Sequence, residues 1–217
     1  MLNTKVVSQL PSGLGYAALL YAPTVSSGTE IDISLLHEPS FALGRYCDDQ
    51  PYDTSALLLH ALILEKLGLI TPAIVRVRQA VKVLESRYES AESAEVEKEY
   101  AVALVNLGRL QLAEGENAEA AATLTDCIGL CSDRTDDEGL AILVQCHLVT
   151  ALSLSNRNQA DEALESFQKS LDMADKLSVS SKRDVCKERI SVLLARTLWH
   201  TGSADAREAA KTNLLEA

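Results

Sequence analysis

Cysteines, histidines and a few short polar stretches are the places where this sequence could do chemistry. The cysteines are Cys47, Cys127, Cys131, Cys146 and Cys186. Cys127 and Cys131 stand four apart and share one face of a helix, a spacing that could begin a metal site. The sequence places no further ligand beside them. An odd count without a Cys-x-x-Cys pair fits reduced thiols that serve as small buried hydrophobes. The histidines are His37, His60, His147 and His200. None belongs to a His-Glu-x-x-His motif or stands at zinc-finger spacing from a cysteine. His60 and His147 fall in apolar stretches and read as core or groove histidines.

The polar stretches fare no better as catalytic sites. "RTDDEG" (Arg134 to Gly139) offers three carboxylates, but a calcium loop needs alternating ligands and a glutamate at its twelfth position. It reads as a solvated loop. "HTGSAD" (His200 to Asp205) puts His, Ser and Asp within six residues, whereas a triad is assembled in space and not by adjacency. "SVSSKRD" (Ser178 to Asp184) could be a kinase site and reads as a polar connection. Gly108 and Gly115 suggest a phosphate loop only at first sight. They form no G-x-G-x-x-G, no G-K-[ST] follows, and no strand-like run precedes them. The sequence therefore predicts no catalytic residue, no metal and no cofactor.

What remains is an architecture of helices. Aromatic residues make up 4% of the chain while Ala and Leu abound. Such a composition suits helices with closely approaching backbones better than a β-sandwich. Leu104, Leu107, Leu110 and Leu112 lie on one broad apolar side of a helix that Gly115 stops, with Asn117 placed to cap the next. Asp53 can cap a helix through Ala56–Leu67, and Thr71–Pro72 is a helix start. Glu95 and Glu97 sit where a helix dipole favours acids.

This helix-turn-helix recurs. A turn residue is followed five positions later by Ala: Gly68 to Ala73, Gly115 to Ala120, Asn158 to Ala163. Four further on stands a larger residue, Val77, Leu124 or Phe167, and three beyond that a small one, Ala80, Cys127 or Ser170. These offsets put small, large and small on one helix face, so that a paired helix can approach closely. A weaker fourth copy turns at Gly202, with Arg207 where Ala is expected.

The pattern resembles tetratricopeptide repeats (TPRs), carried best by Leu107, Gly108, Gly115, Ala120 and Leu124. The resemblance covers about residues 52 to 217 and implies an all-α, alpha-alpha superhelix (solenoid) of antiparallel helix pairs. The steps from Gly68 to Gly115, Asn158 and Gly202 are 47, 43 and 44 residues, against about 34 in the usual repeat. The extra residues, Glu85–Tyr100, Ser132–Gly139 and Lys176–Glu188, read as lengthened second helices followed by loops. HEAT repeats also have periods near 40 to 47; the small-large-small offsets favour the tetratricopeptide form.

The domain reading is an irregular segment over 1–50, rich in Pro and Gly, with short helices near Leu14–Tyr21 and Ser40–Cys47, then about four long repeats over 51–217. By alignment, the first helices point Leu58, Leu62, Val105, Arg109, Leu148 and Leu152 into a groove. Only Arg109 is basic there, so the lysine-and-asparagine carboxylate clamp of some tetratricopeptide proteins is missing. An apolar groove suits an amphipathic helix or the chain's own preceding segment. Leu214 and Leu215 near the C-terminus call for a partner or for further repeats over them.

Thr54–Gly115 is similar to the C-terminal repeats of the fungal superkiller-complex TPR scaffold family, through "LESRYESAES" and "EYAVALVNLGRLQLA". That resemblance implies a scaffold without chemistry of its own, whose partners are an RNA helicase and a WD-repeat protein in an assembly that feeds cytoplasmic mRNA to the exosome. The other reading is a general adaptor for an unrelated peptide. A net charge of −11 argues against direct nucleic-acid binding. No uninterrupted apolar run reaches the roughly 18 residues of a membrane span. "LGYAALLYA" (Leu14 to Ala22) lacks the flanks of a signal peptide, so cytosol or nucleus is expected.

Overall fold

A computed structural model of the chain describes residues 33–90 and 93–201. The described residues form α-helices and no strand. They fall into two compact units, one ending at residue 92 and the other beginning at Ser93.

In the first unit a 3-10 turn, Ile33–Leu36, leads into α1 (His37–Asp49), α2 (Thr54–Lys66) and α3 (Ile70–Ser90). Pro39 is accommodated in the first turn of α1, where backbone N–H groups have no helical partner. Asp53 caps α2, its Oδ1 accepting from the Ala56 N–H at 3.0 Å, while its Oδ2 accepts from the Tyr46 hydroxyl at 3.0 Å. Leu36, Leu43 and Cys47 are buried against Ala56, Leu57, Ile63 and Ala80. The compact unit therefore runs through position 50, where the sequence suggested a boundary: α1 has an apolar side that only α2 and its neighbours cover. The expected helix near Leu14–Tyr21 lies outside the described residues. α3 begins two residues earlier than the Thr71–Pro72 start, with the Ala73 N–H bonded to the Leu69 carbonyl at 3.1 Å.

The second unit holds α4 (Ala94–Glu114), α5 (Asn117–Cys131), α6 (Asp137–Asn156), α7 (Ala160–Asp175) and α8 (Ser180–Thr201). Within it α4 packs on α5, and α6 on α7; α4 and α6 also touch, as do α5 and α6, α7 and α8, and α6 and α8. Short connections make the paired helices antiparallel. The second helix α3 of the first unit is lengthened to 21 residues, as the sequence suggested, but in this second unit the extra length lies mainly in first helices. α4, α6 and α8 have 21, 20 and 22 residues, whereas α5 and α7 have 15 and 16. The cause is local: Glu95 and Glu97 in one first turn, and Asp137 and Glu138 in another, favour helix starts at those polar stretches. α6 is long and apolar enough by composition to cross a membrane, with mean hydropathy 1.4, but its apolar character is explained by packing against α4, α5, α7 and α8.

The three aligned turn residues share one geometry. Gly68, Gly115 and Asn158 have φ of 74°, 91° and 59°. Each closes a Schellman motif. The residue after the turn residue bonds back five positions: Leu69 to Leu64, Glu116 to Gln111 and Gln159 to Leu154, at 2.8–3.0 Å. Asn117 does not cap α5. It is the first helical residue, its Nδ2 donating to the Gly115 carbonyl at 3.1 Å.

On the second helices Ala73, Val77 and Ala80, then Ala120, Leu124 and Cys127, then Ala163, Phe167 and Ser170 are all buried. Gly108 has a steric reason to be glycine: a Cβ there would lie 2.7 Å from Leu124 Cγ. Two of the small residues also donate hydrogen bonds across the helix pair. Cys127 Sγ reaches the Ala101 carbonyl at 3.4 Å, and Ser170 Oγ the Val144 carbonyl at 2.9 Å. Both span 26 residues, so the same tie recurs in successive pairs.

Candidate functional site

Most side chains with chemical potential are committed to structure. Cys47, Cys127, Cys131 and Cys146 are buried. Burial pushes the Cys47 thiol up to about 11. Cys131 is raised by its hydrogen bond with Cys127 and by burial. Thiols held protonated in this way are poor nucleophiles and poor ligands. Among the described residues no three His, Cys, Asp or Glu side chains are placed to hold a metal.

His60 is enclosed between α1 and α2. Its Nε2 lies 3.4 Å from Ser40 Oγ, and its Nδ1 has no partner. Burial, with the nearby Arg76 charge, lowers its pKa to about 4, so the ring is neutral near pH 7. His147 is lowered by burial and by Lys169. His37 opens α1 and His200 lies near the end of α8, both exposed.

The "RTDDEG" stretch is largely solvent-exposed, as expected, and it also caps α6. Arg134 grips Asp136 with two hydrogen bonds of 2.8 and 2.7 Å, and Asp136 Oδ2 accepts from the Gly139 N–H at 3.2 Å. Arg134 holds the Asp136 carboxyl well below the usual carboxylate range. Asp137 accepts from the Ser178 N–H and hydroxyl at 2.9 and 2.5 Å, and Lys98 pairs with Glu138 at 2.8 Å. Each carboxylate has its partner inside the fold. Ser178 of the "SVSSKRD" stretch is one of those partners. Of "HTGSAD", Ser203 and Asp205 lie outside the described residues, as do Leu214 and Leu215.

The groove candidates are divided by packing. Leu58 and Leu62 are half-buried on α2, with Leu58 leaning on the core of its unit. Val105 and Arg109 are half-buried on α4. Leu148 is a correction: it is 1% exposed, in a core with Val144, Phe167 and Ile190, and offers no surface to a partner. Leu152 packs on the same core. The reason is the number of neighbours around α6, which leave it no broad free face. The fourth copy marked by Gly202 has α8 as its first helix, on which the sequence suggested no groove residue. Val192 and Arg196 stand ten and six residues before Gly202, the same register as Leu148 and Leu152 before Asn158, and both are exposed.

Helix pairs with αL turns, small-large-small faces and a committed set of polar groups define an all-α, TPR-like helical-repeat protein. The chain is similar to Superkiller protein 3 of Schizosaccharomyces pombe, with 28% identity over 178 residues, or 82% of this chain and 12% of that protein. Superkiller protein 3 of Saccharomyces cerevisiae is 26% identical over 185 residues, covering 85% of this chain and 12% of the relative. The chain thus spans about an eighth of the length of these relatives. The family model for anaphase-promoting complex subunit 5 matches residues 69–153. Among solved structures, the crystal structure of MamA, a TPR-repeat protein, has a TM-score of 0.58 at 15% identity, covering 84% of this chain and 88% of that one. The MamA RS-1 ArsTM double mutant gives 0.55 at 13%, covering 93% of each chain. The MamA likeness is one of fold.

Proposed function

We propose that this chain is a non-enzymatic protein–protein scaffold of the superkiller type, with a cytoplasmic place in an assembly that delivers mRNA to the exosome for 3′–5′ decay. The observation that carries the reading is the similarity to Superkiller protein 3 over 82% of the chain. The fold supports it in kind: titratable groups are spent on caps and cores, while helix faces remain for partners. On this reading the partners are an RNA helicase and a WD-repeat protein, and RNA is handled by them and not by this acidic chain. The second reading, a general adaptor for an amphipathic helix in another assembly, is favoured by the match of residues 69–153 to a subunit of the anaphase-promoting complex.

The test is affinity purification of the tagged chain from a fungal lysate, followed by mass spectrometry. The superkiller reading expects an RNA helicase together with a WD-repeat protein. Reproducible recovery of other partners without those two would sink it and leave the adaptor.

A further inference from the structure

Among the described residues, α8 packs against α6 and α7. Ile190 is fully buried in the core it shares with Phe167, and Ala195 and Leu198 are buried as well. Its other side carries Val185, Val192 and Trp199, which are 64%, 47% and 51% exposed. They stand seven residues apart, so two turns bring each back to the same face and they form a single stripe. The stripe is about 21 Å long at the helical rise per residue. An exposed apolar stripe of this kind marks an interaction surface more often than a chance exposure.

The charges beside the stripe indicate what covers it. Arg189 and Arg196 follow Val185 and Val192 by four residues each and so flank the stripe along its length. Neither makes a hydrogen bond or ion pair with a described residue. Of the other cations of α8, Lys187 pairs with Asp175 at 2.8 Å and Arg183 donates to the Leu177 carbonyl at 3.4 Å. Glu188 is the acid nearest the stripe on its opposite flank. In a chain of net charge −11, two arginines with no partner among the described residues, beside an apolar stripe, are a local reversal of sign. A second copy of this chain is a poor occupant, because a two-fold contact would set Arg189 and Arg196 against their own images. An extended peptide repeats every two residues and does not match a spacing of seven.

We propose that the outward face of α8 docks an amphipathic helix from a partner protein, with apolar residues at heptad spacing along Val185, Val192 and Trp199, and with Glu or Asp placed against Arg189 and Arg196. This deepens the scaffold reading and rests on it.

Trp199 is the chain's one tryptophan, so its emission reports on this face directly. The probe is a synthetic three-heptad helix with Leu at the a and d positions and Glu at e and g, titrated into the full chain. Its control has Lys in place of Glu. The acidic peptide is expected to shift Trp199 emission to the blue, the basic one to leave it unchanged, and the affinity to fall about tenfold or more from low to high salt. The R189E/R196E double variant should reverse the preference between peptides, with its circular dichroism unaltered. Equal binding of the two peptides, or no binding of either, overturns the proposal. Binding of the acidic peptide without a change in Trp199 emission also overturns it, since the site would then lie elsewhere while the scaffold function stands. A blue shift that grows with protein concentration in the absence of peptide would assign the face to self-association and overturn it too.

Discussion

Replacing Gly108 by alanine adds one methyl group to the middle of α4, and two physical effects oppose each other. Alanine is the better helix former by about 1 kcal/mol in a helix interior. The new Cβ would lie 2.7 Å from Leu124 Cγ and 2.9 Å from Leu124 Cδ2. Leu124 is fully buried, so it has no solvent to move into. Overpacking a filled core costs about 1–3 kcal/mol. The clash should win, and Gly108→Ala should lose about 1 kcal/mol net. Leu124→Ala alone should lose about 2–5 kcal/mol to lost contacts and a cavity. In that background the obstructing atoms are gone. Gly108→Ala should then stabilise by about 1–2 kcal/mol, from helix propensity plus partial filling of the cavity. The prediction is thus a change of sign between the two backgrounds, with a coupling of about 2–3 kcal/mol. Urea denaturation of the four proteins, followed by circular dichroism and by Trp199 fluorescence in the same unit, measures it. If Gly108→Ala stabilises both backgrounds equally, close approach is not the reason for the glycine, and the reasoning fails.

Gly115→Ala should lose about 1–2 kcal/mol, because φ is 91° although there is open space around the site. Asn158→Gly should stay within about 0.5 kcal/mol, since asparagine already tolerates the left-handed region; thermal unfolding separates the two. Ser170→Ala should cost about 0.5–1.5 kcal/mol through loss of the hydrogen bond to Val144, again read by urea denaturation. His60 has a folded pKa of about 4, below its ordinary 6.5, so the folded state takes up the proton less readily than the unfolded chain. Its contribution is full above about pH 6.5 and is lost as pH falls toward 4, by at most about 3 kcal/mol. His60→Leu should flatten the stability profile across that window relative to the native protein, and an unchanged slope would show that the ring's protonation is not coupled to folding.

What the sequence determined by itself is the set of features fixed by local chemistry. Gly68, Gly115 and Asn158 were legible as turns because only glycine or asparagine enters the left-handed region at little cost. Asp53 was legible as a cap because a carboxylate before an apolar helix has backbone N–H groups to accept from. The offsets of Ala120, Leu124 and Cys127 gave the buried face of α5 because a helix has one period. Tertiary structure decided what depends on the number of neighbours. Leu148 and Val192 share a register, yet one is sealed and the other exposed, because among the described residues α6 has helices on several sides and α8 on fewer. Cys127 and Ser170 read as merely small, and became hydrogen-bond donors because a carbonyl of the facing helix comes within reach. Asp136 read as an open acid and became a cap because Arg134 folds back over it. Period and dihedral preference are properties of a few consecutive residues. Burial and pairing belong to whatever the fold brings alongside, and no single stretch of this chain contains that information.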